Sequence, residues 1–320
     1  MNPAYPKIAV LLPHTNIYGG VRRYIEMGNE FTRRGCDYTI FTPEGKPPGW
    51  IPYAGKVKSL EDRAAEVDVL ICGDAGMLPR LPEMNARLKV MNLLGPRYAE
   101  KYRRHYTPDL VVVGNSLAWK EYFPGVDGRT IAGAVNTSIF RPMQISKTGA
   151  PFRVMCFGRR QKKTKGTRFV LKAMRRLRPR RGYLLVMFDN QPQRKPWFLK
   201  TEIHHALSQK QLARLYNTAD VFISAEYSAG WSNTSAEAMA CGVPLVCTDN
   251  GTQDFAINGE TAIIVPTGDA DAIAAAITRL RQDPALRNRL AENGLRKIQE
   301  FSWPRLCDKF EALFREKGIM

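Results

Sequence analysis

The chain has 320 residues, more than one compact core usually holds, and this points to two domains. Hydrophobic residues make up 44% and charged residues 24%, which excludes a disordered chain, a collagen and a small disulfide-stapled scaffold. Against 48 Lys and Arg stand 30 Asp and Glu, a formal charge of +18. Such a surplus calls for an anionic partner without choosing among nucleic acid, an anionic bilayer and a phosphorylated substrate.

The stretch Met1–Val10 lacks the apolar core of a signal peptide, and Ile8–Leu12 reads instead as a first strand. No apolar run approaches the ~20 residues of a spanning helix. The expectation is a cytoplasmic protein, peripheral on the inner face of a membrane at most. Six scattered cysteines (Cys36, Cys72, Cys156, Cys241, Cys247, Cys307) show no metal-type spacing and read as free thiols in a reducing compartment.

Short β-rich runs alternate with helical patterns, the sign of parallel sheets covered on both faces. In the first half, strands are expected at Lys7–Leu12, Tyr38–Phe41, Val67–Ile71, Lys89–Leu93, Leu110–Val113 and Thr130–Ile131. Helices are expected at Val21–Arg34 and Ser116–Tyr122; the first places Tyr24, Ile25, Gly28 and Phe31 on one stripe, with Gly35 as its stop. Phe140 to Pro151 is polar and turn-rich and reads as a hinge. A second series follows, with strands at Phe152–Phe157, Tyr183–Met187, Val221–Ser224, Pro244–Cys247 and Ala262–Val265. Its helices start at Thr167, span Gln209–Asn217 and Thr234–Ala240, and end with three from about Asp271. The fold class is α/β, two Rossmann-like doubly wound domains facing across a cleft, residues 1–142 and 151–301. Ligands of such sheets gather at the carboxyl ends of the strands.

Three strand-to-helix turns carry unusual residues. Ile17-Tyr-Gly-Gly-Val-Arg opens the first helix, where glycines let a ligand approach and free N–H groups suit an anion. It is not Gly-x-Gly-x-x-Gly, so a nicotinamide cofactor is disfavoured. Gly158-Arg-Arg-Gln-Lys-Lys-Thr-Lys-Gly166 follows the first strand of the second half, and its Arg and Lys suit a diphosphate; a solvated loop is the plain alternative. In the third, Ala229-Gly-Trp-Ser-Asn-Thr-Ser-Ala-Glu-Ala-Met-Ala-Cys-Gly, the carboxylate Glu237 lies among apolar neighbours and needs partners. Two ribose hydroxyls, or a nearby Arg or Lys, would supply them.

These turns, with Val135-Asn-Thr-Ser-Ile-Phe-Arg-Pro142, Glu237-Ala-Met-Ala-Cys-Gly-Val-Pro-Leu-Val246 and Asn258-Gly-Glu-Thr-Ala-Ile-Ile-Val-Pro266, follow one another in a specific order. In that order the chain resembles the retaining, nucleotide-sugar-dependent glycosyltransferases of the GT-B fold, family 4 in particular. The resemblance implies an acceptor domain at 1–142, to which 302–320 returns, and a donor domain at 151–301. It implies that Arg159 and Lys165 hold the donor diphosphate and stabilise the leaving group. Glu237 would hold the ribose, Gly19 and Gly20 the donor phosphates from the opposite domain, and Asn233, Thr234 and Ser235 the distal phosphate. Two departures stand out. The family's acid eight residues before Glu237 is here Ala229, for which Glu226 is the nearest substitute. The family's histidine in the first domain aligns near Leu94, and His14 and His105 read as surface or core-capping residues.

The reaction implied is transfer of a sugar, hexosyltransferase-like, from a nucleoside-diphosphate sugar to a lipid-linked or cell-envelope glycan. As the anomeric C–O bond breaks, negative charge grows on the leaving group, and the basic turn can neutralise it; neither a metal nor another cofactor is expected. Two basic clusters are left over. Arg168, Lys172, Arg175 and Arg176 share a helix face, and Arg97-Tyr-Ala-Glu-Lys-Tyr-Arg-Arg-His-Tyr106 interleaves cations with rings; both suit an anionic membrane surface. The competing readings are a nucleic-acid-binding protein, a transferase with a nucleic-acid acceptor, and a hydrolase or epimerase of the same fold acting on the nucleotide sugar.

Overall fold

Runs such as Ile8–Leu11 and Val69–Cys72 bury every side chain, which a strand can do only inside a sheet covered on both faces. The computed structural model of the chain describes residues 5–62, 66–145 and 151–320. The part of the expected hinge at 146–150 lies outside the described residues. By contacts the chain divides into one unit of Met1–Ala134 with Trp303–Met320 and a second of Val135–Ser302.

The first unit runs β1 (Lys7–Leu11), α1 (Gly19–Arg33), β2 (Asp37–Thr42), β3 (Lys56–Ser59), β4 (Glu66–Cys72), β5 (Asn85–Leu93), α2 (Ala99–His105), β6 (Val111–Gly114), α3 (Trp119–Tyr122) and β7 (Gly128–Thr130). All its described pairings are parallel, in the order β3-β2-β1-β4-β5-β6-β7. The direction of winding therefore reverses between β1 and β4. Gly35 ends α1 with φ +94°, a left-handed conformation that a side chain disfavours. Arg23 is buried in α1 and gives its guanidinium to Asn92 Oδ1 (3.1 Å) and the carbonyls of Ile131 (2.8 Å) and Ala132 (3.2 Å). Burial lowers its pKa, and the bonds tie α1 to the ends of β5 and β7.

The second unit repeats the winding: β8 (Phe152–Phe157), α4 (Thr167–Arg176), β9 (Tyr183–Asp189), β10 (Thr201–His205), α5 (Gln209–Asn217), β11 (Val221–Ser224), α6 (Asn233–Ala240), β12 (Leu245–Cys247), β13 (Ala262–Ile264), α7 (Ala270–Gln282) and α8 (Pro284–Ile298). Its order is β10-β9-β8-β11-β12-β13, again all parallel, so winding reverses between β8 and β11. α9 (Trp303–Glu316) returns to the first unit, where Trp303, Leu306, Phe310 and Phe314 join the core beside α1, and Phe314 stacks on Phe31 with centroids 6.0 Å apart.

Several expectations shift. The unit boundary puts Val135–Pro142 in the second unit. The segment read as a hinge is fastened there over its described part, because Asn217 of α5 accepts from Met143 N (2.7 Å) and donates to Arg141 O (3.0 Å). Ser116–Tyr122 shrinks to the single turn of α3, and the last strand of the first sheet falls at Gly128–Thr130, ahead of Thr130–Ile131. No described helix is long and apolar enough to cross a membrane.

All six cysteines are free and buried. Burial pushes the thiol of Cys36 up to about 11 and those of Cys156 and Cys247 to about 12, and raises Cys72, Cys241 and Cys307 as well. The native chain therefore keeps its thiol protons above the ordinary value of ~8.5, where the unfolded chain loses them. Their contribution is complete below about pH 8.5 and declines as pH rises towards 12. At pH 8, an aromatic disulfide reagent is expected to titrate no thiol of the native protein within minutes and all six in guanidinium. A thiol that reacts at once in the native protein would contradict this burial.

Candidate active site

At the reversal of the second sheet, β8 and β11 lie side by side and their chains leave to opposite sides through α4 and α6. The turn out of β8 depends on Gly166. Its φ is +65°, and a Cβ there would stand 1.7 Å from the Ala225 carbonyl oxygen, so α4 starts hard against the end of β11. Tyr227 N donates to Thr164 O (2.8 Å) and locks the two segments together.

Within this turn both expected cations are held by carboxylates. Arg159 grips Asp189, at the end of β9, through Nε (3.0 and 3.1 Å) and Nη2 (2.5 Å). Asp189 has no exposed side-chain surface and also accepts from Gln193 Nε2 (2.9 Å) and Asn190 N (2.7 Å). Lys165 Nζ lies 2.9 Å from both oxygens of Glu226, itself buried behind β11. The two cations flank one ring: Arg159 Cζ is 5.4 Å and Lys165 Nζ 5.6 Å from the Phe157 centroid. About a quarter of each cationic side chain stays exposed, so their outer N–H groups can reach a ligand.

Glu226 also accepts from Ser232 Oγ (3.2 Å), and Ser232 pairs with Ser235 (2.8 Å), whose side chain is fully buried. Ser235 therefore faces the Glu226 network, while Asn233 and Thr234 are half-buried on the first turn of α6. Thr234 lines a cavity of about 10 Å³ with Lys165 and Glu226, room for a water and far too small for a nucleotide. Glu237 points the other way along α6, where Tyr216 OH donates to it at 3.1 Å and supplies part of what a buried carboxylate needs.

Helix caps separate this edge into two kinds. In the second unit, α5, α7 and α8 start with side-chain caps from Ser208, Asp269 and Asp283. α4 and α6, the two helices at the reversal, start without one. Ser232 sits at the cap position of α6, but its hydroxyl is turned to Glu226 and Ser235. Two helix starts without side-chain caps and the turn that carries Arg159 and Lys165 thus offer N–H groups and positive charge at this edge of the sheet.

In the first unit α1 begins at Gly19 without a side-chain cap, and Gly20 is packed so closely that a Cβ would lie 3.0 Å from Leu94 Cδ1. Arg97 stacks over Tyr98 (4.4 Å) and Tyr18 (5.8 Å) and donates to both hydroxyls. The basic-aromatic cluster around it resolves differently from its sequence reading. Tyr102 is core, donating to Gly73 O (3.1 Å); Arg104 pairs with Glu100, and Arg103 donates to Tyr122 O. His14 is exposed, and His105 is half-buried at the end of α2.

Sequence reasoning missed Asp189 and Ser232. Asp189 had a signal: it is the one acid between Arg153 and Lys200. It also passed over Asp269-Ala270-Asp271, an Asp-x-Asp pair of the kind that can hold a metal. Here Asp269 caps α7 and Asp271 pairs with Arg176 at 2.6 Å. No group of three potential metal ligands occurs among the described residues.

Residues 151–283 match the family model described as Glycosyl transferases group 1. The capsular polysaccharide biosynthesis glycosyltransferase CapM of Staphylococcus aureus is 36% identical over 31% of this chain and 27% of its own length. The chain thus spans between a quarter and a half of the first curated relatives it matches. The lipopolysaccharide core biosynthesis glycosyltransferase LpsE of Rhizobium meliloti is 25% identical over 93% of this chain and 96% of its own. Anabaena HepE, solved in complex with UDP-glucose, superposes with a TM-score of 0.76 over 98% of this chain and 100% of that one, at 14% identity. The two parallel-sheet α/β domains thus share the GT-B fold of that solved structure, and residues 151–283 of the second are similar to the group 1 glycosyl transferases.

Proposed function

We propose that the chain is a retaining glycosyltransferase that moves a sugar from a nucleoside-diphosphate sugar to a lipid-linked or cell-envelope glycan. The observation that carries this reading is the pair of uncapped helix starts at the β8–β11 reversal, together with Arg159 and Lys165 of the turn into α4, each paired with a buried carboxylate. As the anomeric C–O bond breaks, its electron pair passes to the departing diphosphate. Arg159, Lys165 and the first N–H groups of α4 and α6 stabilise that charge, each preorganised donor worth about 10²–10³ in rate. Asn233 and Thr234 hold the distal phosphate, Glu237 the ribose, and Gly19 and Gly20 contribute to phosphate binding. Both Glu226 oxygens are taken by Lys165, so Glu226 acts through that lysine. The UDP-glucose bound by HepE supports a UDP-hexose donor, and the roles named for CapM and LpsE support an envelope glycan.

A thermal-shift panel of UDP, GDP, dTDP and ADP sugars in EDTA tests the donor class. At a hundred times the dissociation constant, a ligand of the native state adds about 2.7 kcal/mol, which raises the midpoint by about 5–10 °C for a domain of this size. UDP-glucose is expected to give that rise and glucose alone none. No rise with any nucleotide sugar would remove the reading.

A further inference from the structure

We propose that the outer face of α4, together with the β9–β10 connection at 190–200, is a docking surface for an anionic lipid bilayer. The cations and the ring that carry this surface are other side chains than those of the donor turn at 158–166, and the proposal rests on the transferase reading only in that such a surface would serve its lipid-linked acceptor. Residues 153–200 hold 16 Lys and Arg against the single acid Asp189, and six of those cations, Arg168, Lys172, Arg175, Arg194, Lys195 and Lys200, belong to this surface and are exposed.

Arg168, Lys172 and Arg175 recur along the exposed side of α4, and no described carboxylate lies within 4.0 Å of any of them. Arg176, one position round the helix, pairs with Asp271 and leaves the face. Each of the three lies against a ring. Arg168 Cζ is 4.7 Å from the Phe169 centroid, Lys172 Nζ 5.6 Å from the same ring, and Arg175 Cζ 4.1 Å from Phe198. Phe169 and Phe198 pack inward on the core of the unit, so the cations are held in place without acids to neutralise them.

Next to Phe198, with centroids 5.9 Å apart, stands Trp197, 91% exposed. Exposed Arg194, Lys195 and Lys200 surround it in sequence. An indole left in water beside cations fits the headgroup layer, where its apolar body is buried, its N–H stays wet and the cations meet lipid phosphates. A single-stranded nucleic acid also stacks on rings, but it uses several in succession. In the second unit the exposed large apolar side chains among the described residues are Trp197 and Ile257 alone.

The test is cosedimentation of the full chain with vesicles of phosphatidylglycerol and phosphatidylcholine (1:1) or of phosphatidylcholine alone, in 0.1 M salt. Binding to the anionic vesicles is expected to be at least tenfold tighter. The Lys172→Glu/Arg175→Glu pair should weaken it at least tenfold and Trp197→Ala at least threefold. Anionic vesicles should also blue-shift tryptophan emission, and Trp197→Ala should abolish the shift because Trp50, Trp119, Trp231 and Trp303 are buried or half-buried. Unchanged thermal shifts with UDP-glucose in these variants would show the fold and the donor site intact, which keeps this outcome separate from the transferase reading. The proposal is overturned by equal binding to both vesicles, or by variants that bind like the parent. It is equally overturned if an oligonucleotide, but neither vesicle, changes Trp197 emission.

Discussion

Replacing Lys165 by alanine is expected to lower turnover about 10²–10³-fold, the loss typical of one preorganised donor at a developing anion, and to destabilise the protein as well. The second effect follows from Glu226, whose side chain is only 4% exposed and would keep Ser232 Oγ as its remaining side-chain donor. Breaking a buried pair by removing one partner costs about 3–5 kcal/mol. The lysine end is a quarter exposed, so water repays part, and about 2–3 kcal/mol is expected, or a midpoint lower by about 5–10 °C. The double substitution Lys165→Ala/Glu226→Gln separates the two effects. Without a buried charge it should recover at least half of the lost stability, while turnover stays at the level of Lys165→Ala. Parental turnover in Lys165→Ala would remove this lysine from the chemistry, and no recovery in the double variant would refute the account of the pair.

How much of this was legible beforehand follows from which interactions are local. Central strand runs such as Ile8–Leu11 and Val221–Ile223 are apolar throughout and could be read directly, as could α5, whose capping box of Ser208 and Gln211 lies within four residues. The edge strands β3 and β10 were not expected. Lys56-Val-Lys-Ser offers one apolar side chain, and Thr201–His205 mixes a Glu with two His, because an edge strand needs burial on one side only. α2 was hidden for a similar reason: its inward side is Tyr102 alone, so its sequence reads as a charged surface. At the site, the turns carrying Arg159, Lys165 and the start of α6 were visible as residue types at helix entrances. Their partners were not, since Asp189 is 30 residues from Arg159 and Glu226 is 61 from Lys165. Only the order of the strands brings β9 and β11 to either side of β8 and so joins each cation to its acid.

That arrangement makes Asp189 a positioning residue, and Asp189→Asn should reveal it through turnover. The carboxylate takes Arg159 by Nε and Nη2, and among the described residues Nη1 donates to nothing, so the fork presents its free edge outward. An asparagine puts an amide N–H group against a guanidinium donor, and the guanidinium must turn or shift. A displacement of about 1 Å at a group that stabilises a transition state costs up to ~10² in rate, so turnover should fall about 10–10²-fold. Stability should fall by about 1–3 kcal/mol, because Gln193 and Asn190 also lose a charged acceptor. A purely structural role would lower the midpoint yet leave kcat per folded molecule unchanged, and that split is the deciding measurement. If Asp189 acts through Arg159, adding Asp189→Asn to Arg159→Ala should cost no further turnover, and it should restore stability by removing the buried, unpaired charge that Arg159→Ala leaves behind. Additive losses of turnover in the double variant would show instead that the two residues act separately.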